Sequence, residues 1–140
     1  QGYLSNHAKH AIVALDKLGA PDERILEYWA DYTTLTPYKI PLHKVETPWE
    51  SVRPCTAQEW SEWRGNKIRW QEMVQFLDDQ EKSSHQLVKE FAPDLLNGIA
   101  GGLTHGIIHL GWGIDSQDPW MIQEGLAYLN FCHVPNPPLE

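Results

Sequence analysis

An apolar stretch rich in glycine, between residues 95 and 110, constrains the fold of this chain more than any other feature of its sequence. Its apolar residues recur at helical spacing, and the pattern predicts one helix that has Pro93 in its first turn and is ended by Gly111-Trp112-Gly113. Four glycines interrupt it: Gly98, Gly101, Gly102 and Gly106. Each costs roughly 1 kcal/mol relative to alanine in a helix interior, so something must approach this backbone closely. Either a ligand or a tightly packed helix satisfies that requirement.

Four histidines form two pairs that are the strongest candidates for a functional site. The pairs are His7 with His10, and His105 with His109. Spacings of three and four residues place each pair on one helical face, and the second shares that face with Gly98 and Gly102. Such pairs from two facing helices build metal sites in helical bundles, and imidazole suits Fe, Zn, Cu or Ni. The alternative is that several of them are ordinary histidines with a hydrogen-bonded ring nitrogen.

The remaining histidines, His43, His85 and His133, fall in loop, first-turn and tail contexts, and we expect them at the surface.

Helical patterns occur along most of the chain, so we predict an all-α bundle of five to seven helices. The first begins near Ser5 and ends at Gly19, and the second spans about 22–32. A capping box at Thr56 and Glu59 opens a helix over about 57–79, whose middle Gly65 and Asn66 weaken. Later helices begin after Ser83 or Ser84 and at Pro119.

The segment 33–54 has four prolines and no helical period, so we predict an irregular crossing between helices. We expect a single helical domain over residues 1–134. Residues 135–140 form a proline-rich tail that ends in Leu139-Glu140, a dipeptide typical of vector residues, and the tail is left out of the fold.

The charge and the motif content exclude several classes of function. Lys and Arg total 11 and Asp and Glu total 19, and a net charge of −8 disfavours nucleic acid and anionic membranes as partners. No apolar run is long enough to span a bilayer and no signal peptide is present, so we expect a cytoplasmic protein. No dinucleotide or phosphate-loop motif supports a bound flavin or nucleotide. Cys55 and Cys132 are expected to be free thiols.

Aromatic residues are abundant, with seven Trp, five Tyr and three Phe. Rings of this kind build cores, and they also line pockets for flat ligands. Trp112, Trp120 and Tyr128 follow the second histidine pair, and we predict that they form the wall of a substrate site. The tryptophan content also leaves a homo-oligomer open.

Two separated segments resemble the signatures of the questin oxidase-like family. Residues 4–10 followed by 14–20 are similar to the opening of the family, and residues 101–111 are similar to its second signature. Residues 93–98, just upstream, also fit. Each signature carries one of the histidine pairs, so the resemblance is fairly specific.

The resemblance implies oxidative chemistry on aromatic polyketides. Family members open or rearrange anthraquinone-type rings with O₂ and, for some, a reduced nicotinamide cosubstrate. Some are similar to non-haem iron oxygenases with histidine ligands, and others to cofactor-free Baeyer–Villiger-type oxygenases. Carried over by position, the catalytic residues and Fe(II) ligands would be His7, His10, His105 and His109. Family members are much longer, so the resemblance also implies a chain truncated at its C-terminal side.

We therefore expect an oxygenase that acts on an anthraquinone or phenol-type substrate by ring opening or Baeyer–Villiger-type oxidation. In an iron version the four imidazoles hold Fe(II) and leave a position for O₂. In a metal-free version a histidine deprotonates a phenol, the anion reacts with O₂, and a protonated neighbour stabilises the peroxide. The alternatives are a non-catalytic module that binds a flat aromatic ligand and a purely structural helical domain.

Overall fold

A computed structural model describes residues 7–34 and 47–136, and within these ranges it contains seven α-helices and no strand. The predicted all-α class and number of helices are therefore confirmed. The α-helices are α1 (Ala8–Lys17), α2 (Asp22–Thr34), α3 (Ala57–Glu62), α4 (Trp70–Asp78), α5 (Ser84–Leu95), α6 (His105–Ser116) and α7 (Pro119–Phe131). Three short 3₁₀ helices cover Trp49–Ser51, Leu96–Gly98 and Gly101–Thr104. None of the helices in the described ranges is long and apolar enough to cross a membrane.

The chain divides into two compact units, and the smaller one contains α1 and α2, which pack against each other. Gly19 follows α1 with a φ of +75°, a left-handed conformation that suits the predicted helix end. The predicted second helix is confirmed as α2. The predicted start at Ser5 lies outside the described residues, and α1 is described from Ala8. Two compact units can belong to one domain or to two, so the expectation of a single domain over residues 1–134 stays a prediction.

The larger unit contains everything from Pro48 onward, and α7 is its central helix. Nine of the thirteen residues of α7 are buried, because α4, α5 and α6 all pack on it. Asp118 caps the helix by accepting a hydrogen bond from the Met121 amide, and Pro119 occupies the first turn as predicted.

The predicted helix over 57–79 is two helices. The capping box of Thr56 and Glu59 opens α3 as predicted, but α3 ends at Glu62 and α4 begins at Trp70. Between them Gly65 has a φ of +78°, and its amide donates to the carbonyl of Asn130 on α7 at 2.7 Å. This tertiary hydrogen bond replaces the helical one and breaks the helix. Residues 47–54 agree with the predicted irregular segment, and residues 35–46 lie outside the described ranges.

The prediction of a continuous helix over the glycine-rich stretch is wrong. Pro93 lies inside α5 rather than at the start of a new helix. Residues 102–104 all have positive φ, and this left-handed backbone breaks the helix before α6. α6 begins at His105 and continues through Trp112 to Ser116 instead of ending near Gly111. The shared helical face therefore holds for His105 and His109 alone, because Gly98 and Gly102 lie outside α6.

Most of the glycines in this region face packed protein. A Cβ at Gly106 would lie 3.0 Å from Leu129, and one at Gly113 would lie 2.8 Å from the Ile122 amide. Gly101, before α6, packs against the chain that follows α7, because the carbonyl of Cys132 lies against it. Close packing of helix and chain, one of the two interpretations, therefore explains these glycines.

Candidate active site on the α6–α7 hairpin

The tight turn between α6 and α7 sets an antiparallel register that aligns the candidate residues. Gln117 turns the chain with a φ of +56°. Three close approaches define the register, Gly113 against Ile122, Gly125 against Leu110, and Gly106 against Leu129. In this register His109 lies opposite Glu124, and His105 lies one helical turn further on, opposite Tyr128.

The central feature of the hairpin is a buried pair formed by His109 and Glu124. Nε2 of His109 lies 3.1 Å from Oε2 of Glu124, and the two residues are 8% and 9% exposed. When Glu124 is ionised its carboxylate only accepts hydrogen bonds, and Nε2 then carries the hydrogen in this contact. A carboxylate that holds an imidazole in this way fixes its orientation and tautomer.

Trp120 completes the arrangement from the same helix. Its indole Nε1 donates to Oε1 of Glu124 at 3.0 Å, across one turn of α7. His109 and Trp120 thus engage the two oxygens of one carboxylate, which secures a charge that would otherwise be costly to bury. We call His109, Glu124 and Trp120 the hairpin triad.

Trp120 also begins a row of indole rings. Its ring centroid lies 5.1 Å from that of Trp49, and the Trp49 centroid lies 5.8 Å from that of Trp70, both in edge-to-face contact. We call Trp120, Trp49 and Trp70 the tryptophan row. All three rings are half-buried.

The second level of the hairpin carries His105 and Tyr128. Nδ1 of His105 lies 2.7 Å from the carbonyl oxygen of Gly102, and a Cβ on Gly102 would lie 3.4 Å from the Tyr128 hydroxyl. Gly102 therefore lies between the side chains of His105 and Tyr128 and is close to both. Burial raises the pKa of the Tyr128 phenol, and so does its neighbour Cys132. The phenol consequently stays protonated at neutral pH and can donate a hydrogen bond.

The other predicted site residues divide between the two units. Trp112 lies half-buried in α6, three residues after His109 and on a neighbouring part of the same face. His7 and His10 lie at the start of α1, with ring centroids 5.7 Å apart and His10 buried. The structure thus brings together the members of each histidine pair.

Metal binding by the four histidines stays a prediction. No group of three or more His, Cys, Asp or Glu side chains that could hold a metal ion occurs within residues 7–34 and 47–136. Within the larger unit, His105 and His109 supply two imidazoles from one helix, whereas protein metal sites normally use three or four protein ligands. The described residues of the hairpin therefore do not by themselves complete an Fe(II) site.

Glu124 is the site residue that the sequence analysis missed. Its signal was a carboxylate within the run of apolar residues that Pro119 opens, four residues after Trp120. Such a residue on a buried helix face needs a partner, and a histidine on the neighbouring helix is a suitable one.

His133 was expected at the surface, and that expectation is wrong. It is 8% exposed, its Nε2 lies 2.7 Å from Oδ1 of Asn97, and its ring lies against Gly98. Burial lowers its pKa, so the ring favours the neutral form. His85 is exposed, as expected, and His43 lies outside the described residues.

Comparison with known proteins assigns the chain at the level of a family. The model of the Questin oxidase-like family matches residues 4–139, which is nearly the whole sequence. No match was found among curated proteins or among solved structures.

Proposed function

Because this chain belongs to the questin oxidase-like family, we propose that it uses O₂ to oxidise a flat phenolic or quinone-type substrate at the α6–α7 hairpin. The family itself supports an oxygenase-type oxidoreductase. The substrate class and the residues that act on it are our proposal. The hairpin triad is the observation on which the proposal rests.

The first step that the triad supports is removal of a proton from a phenol. A histidine oriented by a carboxylate is a general base, because the carboxylate stabilises the imidazolium that forms. His109 takes the phenolic proton, and Glu124 balances the charge on its ring. The substrate becomes an electron-rich phenolate.

The second step is the reaction of that anion with O₂. The phenolate transfers one electron to O₂, and the two radicals combine into a carbon–oxygen bond, which leaves a peroxide anion. That anion takes up a proton from an adjacent imidazolium, which stabilises it as a hydroperoxide. His105 lies one turn from His109 and is the neighbour placed for this role.

Aromatic side chains on the hairpin suit the expected shape of the substrate. Trp112 and Trp120 offer flat apolar surfaces near the histidines. The Tyr128 hydroxyl, which hydrogen-bonds with Cys132, exchanges that partner for a quinone or phenol oxygen of the substrate. Fe(II) and a reduced nicotinamide cosubstrate stay predictions from the resemblance. The cytoplasmic location, expected because no signal peptide or membrane-spanning run was found, and the homo-oligomer, which the tryptophan content leaves open, also stay predictions. No step of this mechanism passes through them.

Isotope labelling tests the proposal directly. The protein is incubated with a panel of hydroxyanthraquinones and simpler polyphenols under ¹⁸O₂, with and without a reduced nicotinamide. We expect mass spectrometry to detect ¹⁸O in an oxidised product, and we expect His109→Gln to abolish its formation. His85→Gln is the matched control, because His85 is an exposed imidazole on α5.

The outcomes separate the proposed enzyme from its alternatives. Saturable binding of an anthraquinone with no ¹⁸O product would indicate a non-catalytic binding module. Neither binding nor turnover would indicate a structural domain. Full turnover in the His109→Gln variant would show that oxidation takes place without the triad.

A further inference from the structure

The tryptophan row connects the hairpin triad to side chains on two other segments of the larger unit. Trp120 lies on α7, Trp49 opens a 3₁₀ helix, and Trp70 is the first residue of α4. Centroid separations of 5.1 and 5.8 Å bring the edge of each ring into van der Waals contact with the next. Packing alone explains rings in contact, but this row also ends on an indole that donates its hydrogen to the carboxylate of the hairpin triad, which gives that end a proton acceptor.

We propose that the tryptophan row is a path for one-electron oxidation, which removes an oxidising equivalent from the hairpin site. Indole is among the most easily oxidised side chains, and its radical cation is far more acidic than the neutral ring, with an acidity comparable to that of a carboxylic acid. Glu124 lies 3.0 Å from Nε1 of Trp120 and is therefore placed to accept the proton as the electron leaves. Coupling the two transfers avoids a buried, unpaired positive charge on the ring.

The oxidant is a peroxyl radical, which forms when superoxide escapes before the two radicals of the proposed reaction combine and the phenoxyl radical left behind adds a second O₂ at a ring carbon. Trp120 gives this radical one electron and reduces it to the peroxide anion, while the Nε1 proton moves to Glu124. Trp120 is then a neutral radical and Glu124 is a neutral acid. An electron from Trp49 restores Trp120, and the proton returns from Glu124 to Nε1.

Transfer continues outward in the same way. Trp70 then gives one electron to the oxidised Trp49, so Trp70 becomes the oxidised residue. Trp70 is half-exposed at the start of α4, where a small reductant such as ascorbate or a thiol can restore it by supplying one electron. The path would protect the two site histidines from oxidation when the reaction fails.

The proposal takes the origin of its oxidant from the proposed function, but its test does not need turnover. A ruthenium polypyridyl photo-oxidant and a sacrificial electron acceptor are mixed with the full chain, and radicals are detected by transient absorption and by electron paramagnetic resonance after freezing. The photo-oxidant reaches the row at Trp70, which is half-buried. We expect a neutral tryptophanyl radical that Trp120→Phe removes.

Variants along the row decide the result. We expect Trp49→Phe to lower the yield of the Trp120 radical several-fold, because it interrupts the row. Trp63→Phe is the matched control, since Trp63 is another half-buried indole outside the row. Glu124→Gln should replace the neutral radical by a smaller yield of the protonated form. Circular dichroism checks the fold of each variant, and Trp70→Phe repeats the interruption at the outer end should Trp49→Phe not fold.

Equal yields of the Trp120 radical in the Trp49→Phe, Trp70→Phe and Trp63→Phe variants would overturn the proposed path. That result would leave the proposed oxygenase function intact if ¹⁸O incorporation is observed. Conversely, if interrupting the row lowers the yield of the Trp120 radical but no ¹⁸O product forms, the proposed electron path stands and the proposed oxygenase function is refuted.

Discussion

Glu124 is the centre of the hairpin triad, because both of its oxygens lie within hydrogen-bonding distance of other members of the triad. His109 bonds one oxygen and the Trp120 indole bonds the other. A single carboxylate thus sets the orientation of the proposed base and serves as the proposed proton acceptor for the tryptophan row. Its substitution should affect the two functions in different ways.

For the oxygenase reaction, we expect Glu124→Gln to lower kcat by about 10- to 100-fold, the usual effect of losing a partner that orients a site histidine. KM should change little, because Glu124 acts through His109 rather than on the substrate. Steady-state kinetics with the anthraquinone found by ¹⁸O labelling measure both constants. Glu50→Gln, at an exposed carboxylate, is the control. A raised KM with unchanged kcat would contradict this role.

A second carboxylate, Glu59, predicts a pH dependence of stability. The Arg53 guanidinium bonds its carboxylate at 2.9 Å, and together with the Thr56 amide it lowers the pKa of Glu59 from 4.5 to about 2. A carboxyl whose pKa is depressed by folding stabilises the folded state above its unfolded pKa and loses that effect as the pH falls toward the folded one. The contribution should therefore be complete above pH 4.5 and be lost toward pH 2.

Urea unfolding of the wild type and of Glu59→Gln at several pH values tests this expectation. The difference in unfolding free energy between them should be largest near neutral pH and should vanish near the folded pKa. Ser83→Ala is the control, because it removes a capping box whose partner is the neutral Gln86. Its penalty of about 1 kcal/mol should not depend on pH. A Glu59→Gln penalty that persists unchanged in acid would refute the assignment.

At the scale of elements, the contact between α6 and α7 depends on glycine. A Cβ at Gly125 would lie 2.6 Å from the Cα of Leu110, so alanine there forces the two backbones apart. We expect Gly125→Ala to lower the unfolding free energy by about 1–3 kcal/mol, as overpacking does. Gly111, also in a helix interior, has open space at its Cβ position. Gly111→Ala should therefore raise the unfolding free energy by up to about 1 kcal/mol through helix propensity.

The pair of alanine variants is compared by urea unfolding under identical conditions. Both remove a helical glycine, so their opposite signs isolate the effect of packing between helices. A Gly125→Ala protein as stable as the wild type would mean that the two helices can separate at little cost, and it would weaken the register that places His109 opposite Glu124.

Elements whose ends are set by neighbouring residues could be predicted, and those set by distant contacts could not. The caps at Thr56 and Ser83 depend on side chains within three residues, and both are present, as is the predicted start of α7 at Pro119. The break at Gly65 depends on a carbonyl sixty-five residues away, at Asn130. A pattern based on local spacing treats such a break as a weakened helix.

The same distinction applies to the candidate site. The spacing of His105 and His109 was visible because both lie on one helix. Glu124 was missed because its partner lies on the other helix of the hairpin, and recognising it required the register. The helical spacing also placed Gly98 and Gly102 on the face of His105, because no local sequence signal indicates the positive φ values of residues 102–104.

At the scale of the whole molecule, the two units differ in how much apolar surface is buried by their residues within 7–34 and 47–136. Every member of the buried hydrophobic cluster lies at or beyond Cys55, in the larger unit. In α2, by contrast, no residue is buried, and Leu26 and Trp29 are 66% and 45% exposed. Since apolar burial supplies most of the favourable free energy of folding, the larger unit carries most of the stability of the chain.

We therefore predict that a fragment of residues 48–140 folds without the smaller unit. Urea unfolding followed by tryptophan fluorescence should give a cooperative transition with a midpoint close to that of the full chain, and a fragment that is unfolded in water would refute this.

The fragment also tests the predicted Fe(II) ligands, because it keeps His105 and His109 and lacks His7 and His10. If four imidazoles hold the ion, anaerobic Fe(II) titration should show binding to the full chain and a large loss of affinity in the fragment. Equal affinity in both would contradict the four-histidine ligand set while leaving the proposed base, His109, in place.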